Sequence, residues 1–92
     1  MYAVVGTSKL NFDNDDDAAQ MANGILANLS QAPGFVTGSF ARSADGRNGR
    51  SMILFETEEQ AKAARETAKA SVPANGPVEI VAIDVFGVVA HR

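Results

Sequence analysis

Asp84 is the residue of this 92-residue sequence best suited to chemistry. It lies in the run Val78 to Ala90, and on a strand it shares one face with Val78, Ile80, Ala82, Phe86 and Val88. Desolvation on such an apolar face disfavours a charged carboxylate, so Asp84 suits a general base or a hydrogen-bond acceptor for a ligand. The same position also suits an aspartate paired with a basic side chain or solvated at a cavity mouth. Tyr2, Thr37, Ser39 and Ser51 can supply hydroxyls to a cavity, and Phe55 and Phe86 an aromatic lining. Arg42, Arg47 and Arg50 surround a turn, where they form either an anion patch or a solvated tip.

Other chemistries lack their parts. With no cysteine, thiolate catalysis, disulfides and thiolate metal sites are excluded. The single histidine, His91, has no second histidine or cysteine with which to hold zinc. Asp13 to Asp17 is acidic, but it lacks the alternating ligands and terminal glutamate of an EF-hand loop; it reads as the start of a helix, so no metal is expected. No nucleophile triad, P-loop or dinucleotide fingerprint is present. A formal charge of −3 gives no attraction to nucleic acid or anionic lipid, and no apolar run approaches the roughly 20 residues needed to span a bilayer. Met1-Tyr2-Ala3-Val4-Val5 enters a strand without a basic leader, so the cytoplasm is the expected compartment.

The elements that must position these residues follow from periodicity and punctuation. Tyr2 to about Ser8 reads as a strand. Phe12, a staple residue before the aspartates, introduces a helix from about Asp15 to Gln31 with Ala18, Met21, Ala22, Ile25, Leu26 and Leu29 on one stripe. Gly24 interrupts it, a place for close approach of a neighbour. Pro33-Gly34 stops the helix. Phe35 to Arg42 alternates as a strand, Ser43 to Gly49 reverses the chain, and Arg50 to Glu56 is the antiparallel partner. Thr57-Glu58-Glu59-Gln60 is a capping box that opens a second helix, to about Ala70, burying Ala61, Ala64 and Ala68. Ser71 to Pro77 is a loop before the last strand.

This order defines a single domain, residues 1–92, as a ferredoxin-like βαββαβ plait: an antiparallel sheet ordered 4-1-3-2 with both helices on one face. The cleaner apolar set, Val36, Phe40, Met52, Leu54, Val81, Ile83 and Val85, is expected beneath the helices. The opposite face then carries Phe35, Thr37, Ser39, Ser51, Ile53, Phe55, Ile80, Ala82, Asp84 and Phe86, too apolar for water and too polar for a dry core. A homodimer with the two sheets facing each other around a partly polar cavity resolves both conditions.

Pro33-Gly34-Phe35, Asp45-Gly46 and Phe55-Glu56-Thr57-Glu58-Glu59, in that order between strand and helix signals, resemble the dimeric α+β-barrel superfamily, and within it the antibiotic-biosynthesis-monooxygenase-like proteins. The resemblance covers about Leu26 to Ala64 closely and the rest by topology. It implies a homodimeric, cofactor-independent monooxygenase or isomerase acting on a small apolar or aromatic compound, with no cofactor. Haem-degrading members carry an asparagine on the first strand, a tryptophan ending the third and a histidine on a later helix. Here Gly6 and Thr7, Phe55 and the terminal His91 stand instead, which points away from haem. The alternative is a non-catalytic small-molecule-binding or structural dimeric module. An RNA-recognition module would need stacking aromatics on the central strands and a basic face, whereas Phe55 is the only aromatic on the third strand and the chain is acidic.

Overall fold

The first turn of each helix is closed by its own side chains. In the computed structural model, which describes residues 1–72 and 75–91, Asn14 caps helix α1 (Asp15–Leu29) by accepting the Asp17 N–H at 2.9 Å. Asp15, Asp16 and Asp17 complement the dipole of that turn. Thr57 caps helix α2 (Glu58–Ser71): its hydroxyl accepts the Gln60 N–H at 3.2 Å, and the Gln60 side chain accepts the Thr57 N–H at 3.1 Å. The expected capping box is complete. Gly34 fits against it with φ 79°, and a Cβ there would run into the Gln60 side chain. The Gly34 carbonyl also accepts the Glu56 N–H at 2.9 Å, so the turn after α1 is locked to the start of α2.

Four strands fill the remaining chain: β1 (Tyr2–Leu10), β2 (Phe35–Arg42), β3 (Asn48–Phe55) and β4 (Val78–Gly87). They form one antiparallel sheet ordered β2-β3-β1-β4, the expected 4-1-3-2 read from the other edge. β1 runs two residues beyond Ser8, and β4 ends at Gly87 instead of about Ala90. Of the expected loop Ser71 to Pro77, Ser71 belongs to α2, while Pro73 and Ala74 lie outside the described residues. At the β2–β3 turn the Ser43 carbonyl accepts the Gly46 N–H at 2.9 Å. The Ser43 hydroxyl at 2.6 Å and the Arg47 N–H at 3.0 Å hold the Asp45 carboxyl below its ordinary range.

Both helices cover one face, which holds Phe40, Ile83 and Val85 of the expected set but not Val36, Met52, Leu54 or Val81. Val4, Ile53, Phe55, Ala61 and Ala64 form the buried core, with Tyr2, Leu26, Leu29, Phe35, Ile83 and Val85 packed against it. Ile53 and Phe55 therefore face the helices, and Met52 and Leu54 the open side, the reverse of the expectation. β3 is apolar at all four positions from Met52 to Phe55, so alternation could not choose its parity there. Two β-bulges shift the neighbours. The β2–β3 register steps from Phe35↔Phe55 to Thr37↔Leu54, skipping Val36, which turns Phe35 toward the helices. The β1–β4 register steps from Thr7↔Ala82 to Ser8↔Ile80, skipping Val81, which moves Ile80 to the helix side. Val36 and Val81 are exposed, not beneath the helices.

Gly24 does not mediate close approach: a Cβ there would meet nothing within 4 Å. Gly24→Ala should accordingly raise stability by about 0.5–1 kcal/mol, through helix propensity alone. Thr57→Ala should lower it by about 1 kcal/mol. Urea denaturation midpoints moving in opposite directions would support both assignments, and an unmoved midpoint for Thr57→Ala would place the start of α2 elsewhere.

Candidate functional site

The two helices meet the sheet differently. α2 presents alanines, and Ala61 and Ala64 are buried, so its backbone comes close over Phe55. α1 buries no side chain completely; Ala18, Met21, Ala22 and Ile25 are each only half-buried. Beneath that stripe the sheet offers small residues, Ser8, Gly49 and Ser51, so the larger side chains of α1 bridge a gap.

That gap is a cavity of about 350 Å³, at the lower end of the roughly 300–1,000 Å³ typical of small-molecule sites. Leu10, Phe12, Met21, Ala22, Ile25 and Phe40 supply most of its apolar wall. Ser8 and Ser51 bring hydroxyls to its floor. Gly6 makes room for one of them: Ser51 pairs with Gly6 across the ladder, and its Oγ would lie 2.5 Å from a Cβ on Gly6.

Among the described residues of its lining, charge is carried by Arg42, Arg50 and Asp15. Arg42, at the end of β2, donates from Nε to the Gly46 carbonyl at 3.1 Å and from Nη1 to the carboxylate of Asp15 on α1. This ion pair ties the start of α1 to the end of β2 across the rim. Arg50 donates to its neighbour Gly49's carbonyl at 3.0 Å. Among the described residues no set of three histidine or carboxylate side chains is placed to hold a metal.

The residues expected to share one cavity are divided by the sheet. Ser51 lines the cavity under α1. Tyr2 is on the same side of the sheet but packs against the core, where it pairs with Phe55. Phe55 is fully buried and meets Phe35 edge-on, ring centres 6.2 Å apart at 81°, so it is core and not lining. Thr37, Ser39, Asp84 and Phe86 lie on the open face, and Asp84, paired with Val5 of β1, is exposed there. Sequence reasoning assigned Met21, Ala22, Ile25 and Phe40 to the core and missed the cavity. The signal that could have found it is the small residues Gly6, Ser8, Gly49 and Ser51 facing a stripe of long side chains.

No protein-family model and no curated protein sequence matches this chain. Solved structures do. SnoaB, a cofactor-independent oxygenase from Streptomyces nogalater, superposes with a TM-score of 0.74 at 12% identity, over 98% of this chain and 94% of that one. MhuD, a haem degrader from Mycobacterium tuberculosis solved with two haems in its active site, gives 0.73 at 15% identity, over 100% and 99%. A protein from Nitrosomonas europaea, provisionally assigned as an antibiotic biosynthesis monooxygenase, gives 0.66 at 18% identity, over 98% and 100%. The structural neighbours are thus antibiotic-biosynthesis-monooxygenase-like proteins, and this chain has their ferredoxin-like α+β fold.

Ala22→Phe adds a ring where the cavity now lies. It should abolish binding of an uncharged apolar fluorophore such as N-phenylnaphthylamine while leaving the far-UV circular dichroism unchanged. Undiminished binding would place the fluorophore elsewhere.

Proposed function

We propose that this protein is a homodimeric small-molecule-binding enzyme of the cofactor-independent monooxygenase type, taking a compact apolar or aromatic compound into the cavity between α1 and the sheet. The observation that carries the reading is the cavity itself: apolar walls, two serine hydroxyls and no competing titratable group in its floor. The likeness to SnoaB supports the oxygenase chemistry. In such a reaction an activated methylene gives a proton to water, the resulting carbanion gives electrons to O2, and CH2 plus O2 becomes C=O plus water. Ser8 and Ser51 can donate hydrogen bonds to the enolate oxygen of such a substrate. Asp84, on the other face, is no part of this cavity; in the proposed dimer it faces the partner sheet.

A second reading, a non-catalytic binding module, is favoured by the absence of histidine, tyrosine and buried carboxylate from the cavity lining. Oxygen uptake with anthrones and quinols separates the two. Turnover above that of a heat-killed control, lost in Ala22→Phe, supports the enzyme, and its absence alongside retained binding supports the module.

The dimer is proposed from the open face. Met52 and Phe86 are 52% and 54% exposed there, beside Leu54, Val5 and Ala3, with Thr37, Ser39 and Asp84 among them. No described helix is long and apolar enough to cross a membrane, and a second copy is the partner that matches this mixed character. Equilibrium sedimentation at low micromolar concentration should give a dimer for the wild type and for Lys62→Glu, and monomer or aggregate for Phe86→Asp, which leaves an unpaired charge in the interface. A monomeric wild type would contradict the proposal.

A further inference from the structure

The charged rim suggests which compounds the cavity accepts. Arg42, Arg50 and Asp15 carry the charge of its lining, and of the two arginines only Arg42 lies on the cavity face of the sheet. Arg42 and Asp15 also differ in setting: the arginine side chain is 23% exposed and the aspartate 95%. A pair with so exposed a partner is worth little and is easily exchanged. The guanidinium carries five N–H donors, of which one is spent on the Gly46 carbonyl and one on Asp15. The bond to Gly46 fixes the stem of the side chain at the cavity edge, while the Nη groups remain able to change partner. A planar guanidinium held in this way matches an anionic oxygen group better than a solvated lysine would.

Resting on the reading of this cavity as a ligand site, we propose that it selects compact apolar molecules bearing a single anionic oxygen group, a carboxylate, phenolate or enolate, and that Arg42 reads this charge by exchanging Asp15 for the ligand. Asp15 is then a built-in competitor that holds Arg42 at the rim when the cavity is empty. Arg50 is the lesser candidate, since it pairs with Thr7 and Ala41 on the opposite strand parity to Ser51.

Two fluorophores with one ring skeleton test this in the full chain: anilinonaphthalenesulfonate, which is anionic, and uncharged N-phenylnaphthylamine. The wild type should prefer the sulfonate. Arg42→Met should weaken sulfonate binding roughly tenfold, the scale of one lost charge-assisted contact, and leave the neutral probe unchanged. Arg42→Lys should recover part of the loss. Asp15→Asn, at an exposed position that does not threaten the fold, should tighten the sulfonate severalfold and leave the neutral probe as it was. Equal weakening of both probes in Arg42→Met would assign Arg42 a structural role only. Unchanged sulfonate binding in Asp15→Asn would overturn the exchange. If the neutral probe binds and is lost in Ala22→Phe while the sulfonate shows no dependence on Arg42, the charge selection fails and the cavity reading stands. If neither probe binds, both fall.

Discussion

Phe55 under the alanines of α2 is the contact on which the rest of the structure depends. Its side chain is fully enclosed by Phe35, the core strands and Ala61 and Ala64, and truncating such a ring costs about 3–5 kcal/mol. Because Ala61 and Ala64 have so little bulk, α2 comes down onto the sheet, and Thr57, Gln60 and Gly34 secure its first turn to the chain that leaves α1. The dry core is therefore concentrated at one end of the sheet. The other end is left to α1, whose longer side chains rest over Ser8, Gly49 and Ser51 without filling the space.

The cavity follows from that asymmetry. A helix that buries none of its side chains fully is held chiefly at its C-terminal end, where Leu26 and Leu29 join the core, while the exchangeable Arg42–Asp15 pair spans the rim at the other. Packing is loose between these anchors, which is where low local stability is expected and where ligand sites are usually found. Cavity, rim pair and half-buried helical stripe are thus one feature described at three levels.

Local signals in the sequence carried most of the fold. The Thr57 to Gln60 capping box and the Asp45-Gly46 turn each rest on one residue's backbone or side-chain chemistry, and the structure holds both where the residues put them, while α1 ends at Leu29, ahead of Pro33-Gly34. Strand order followed from topology. The faces of the strands were less legible, because the second half of β3, Met52 to Phe55, reads Met-Ile-Leu-Phe and carries no polar residue to mark its wet side. Skipping Val36 and Val81 moved Phe35 and Ile80 to the helix side and left Thr37, Ser39, Phe40, Ile83, Asp84, Val85 and Phe86 on the faces that alternation assigns; a bulge has no reliable signature in an apolar run. Ser51 and Phe55 were assigned to the open face by parity, and parity failed on that strand. Asp84 stood out as a carboxylate among apolar residues, yet its neighbours in space, Val5 and the exposed sheet surface, give it no cavity within one chain.

The central claim is that a ligand enters between α1 and the sheet and not against the open face. Methyl-resolved NMR during titration with N-phenylnaphthylamine tests it most directly, since Met21 and Ile25 line the cavity while Met52 lies on the open face. The account predicts shifts and intermolecular contacts at Met21 and Ile25, with Met52 unmoved. Contacts to Met52 with no change at Met21 and Ile25 would contradict it.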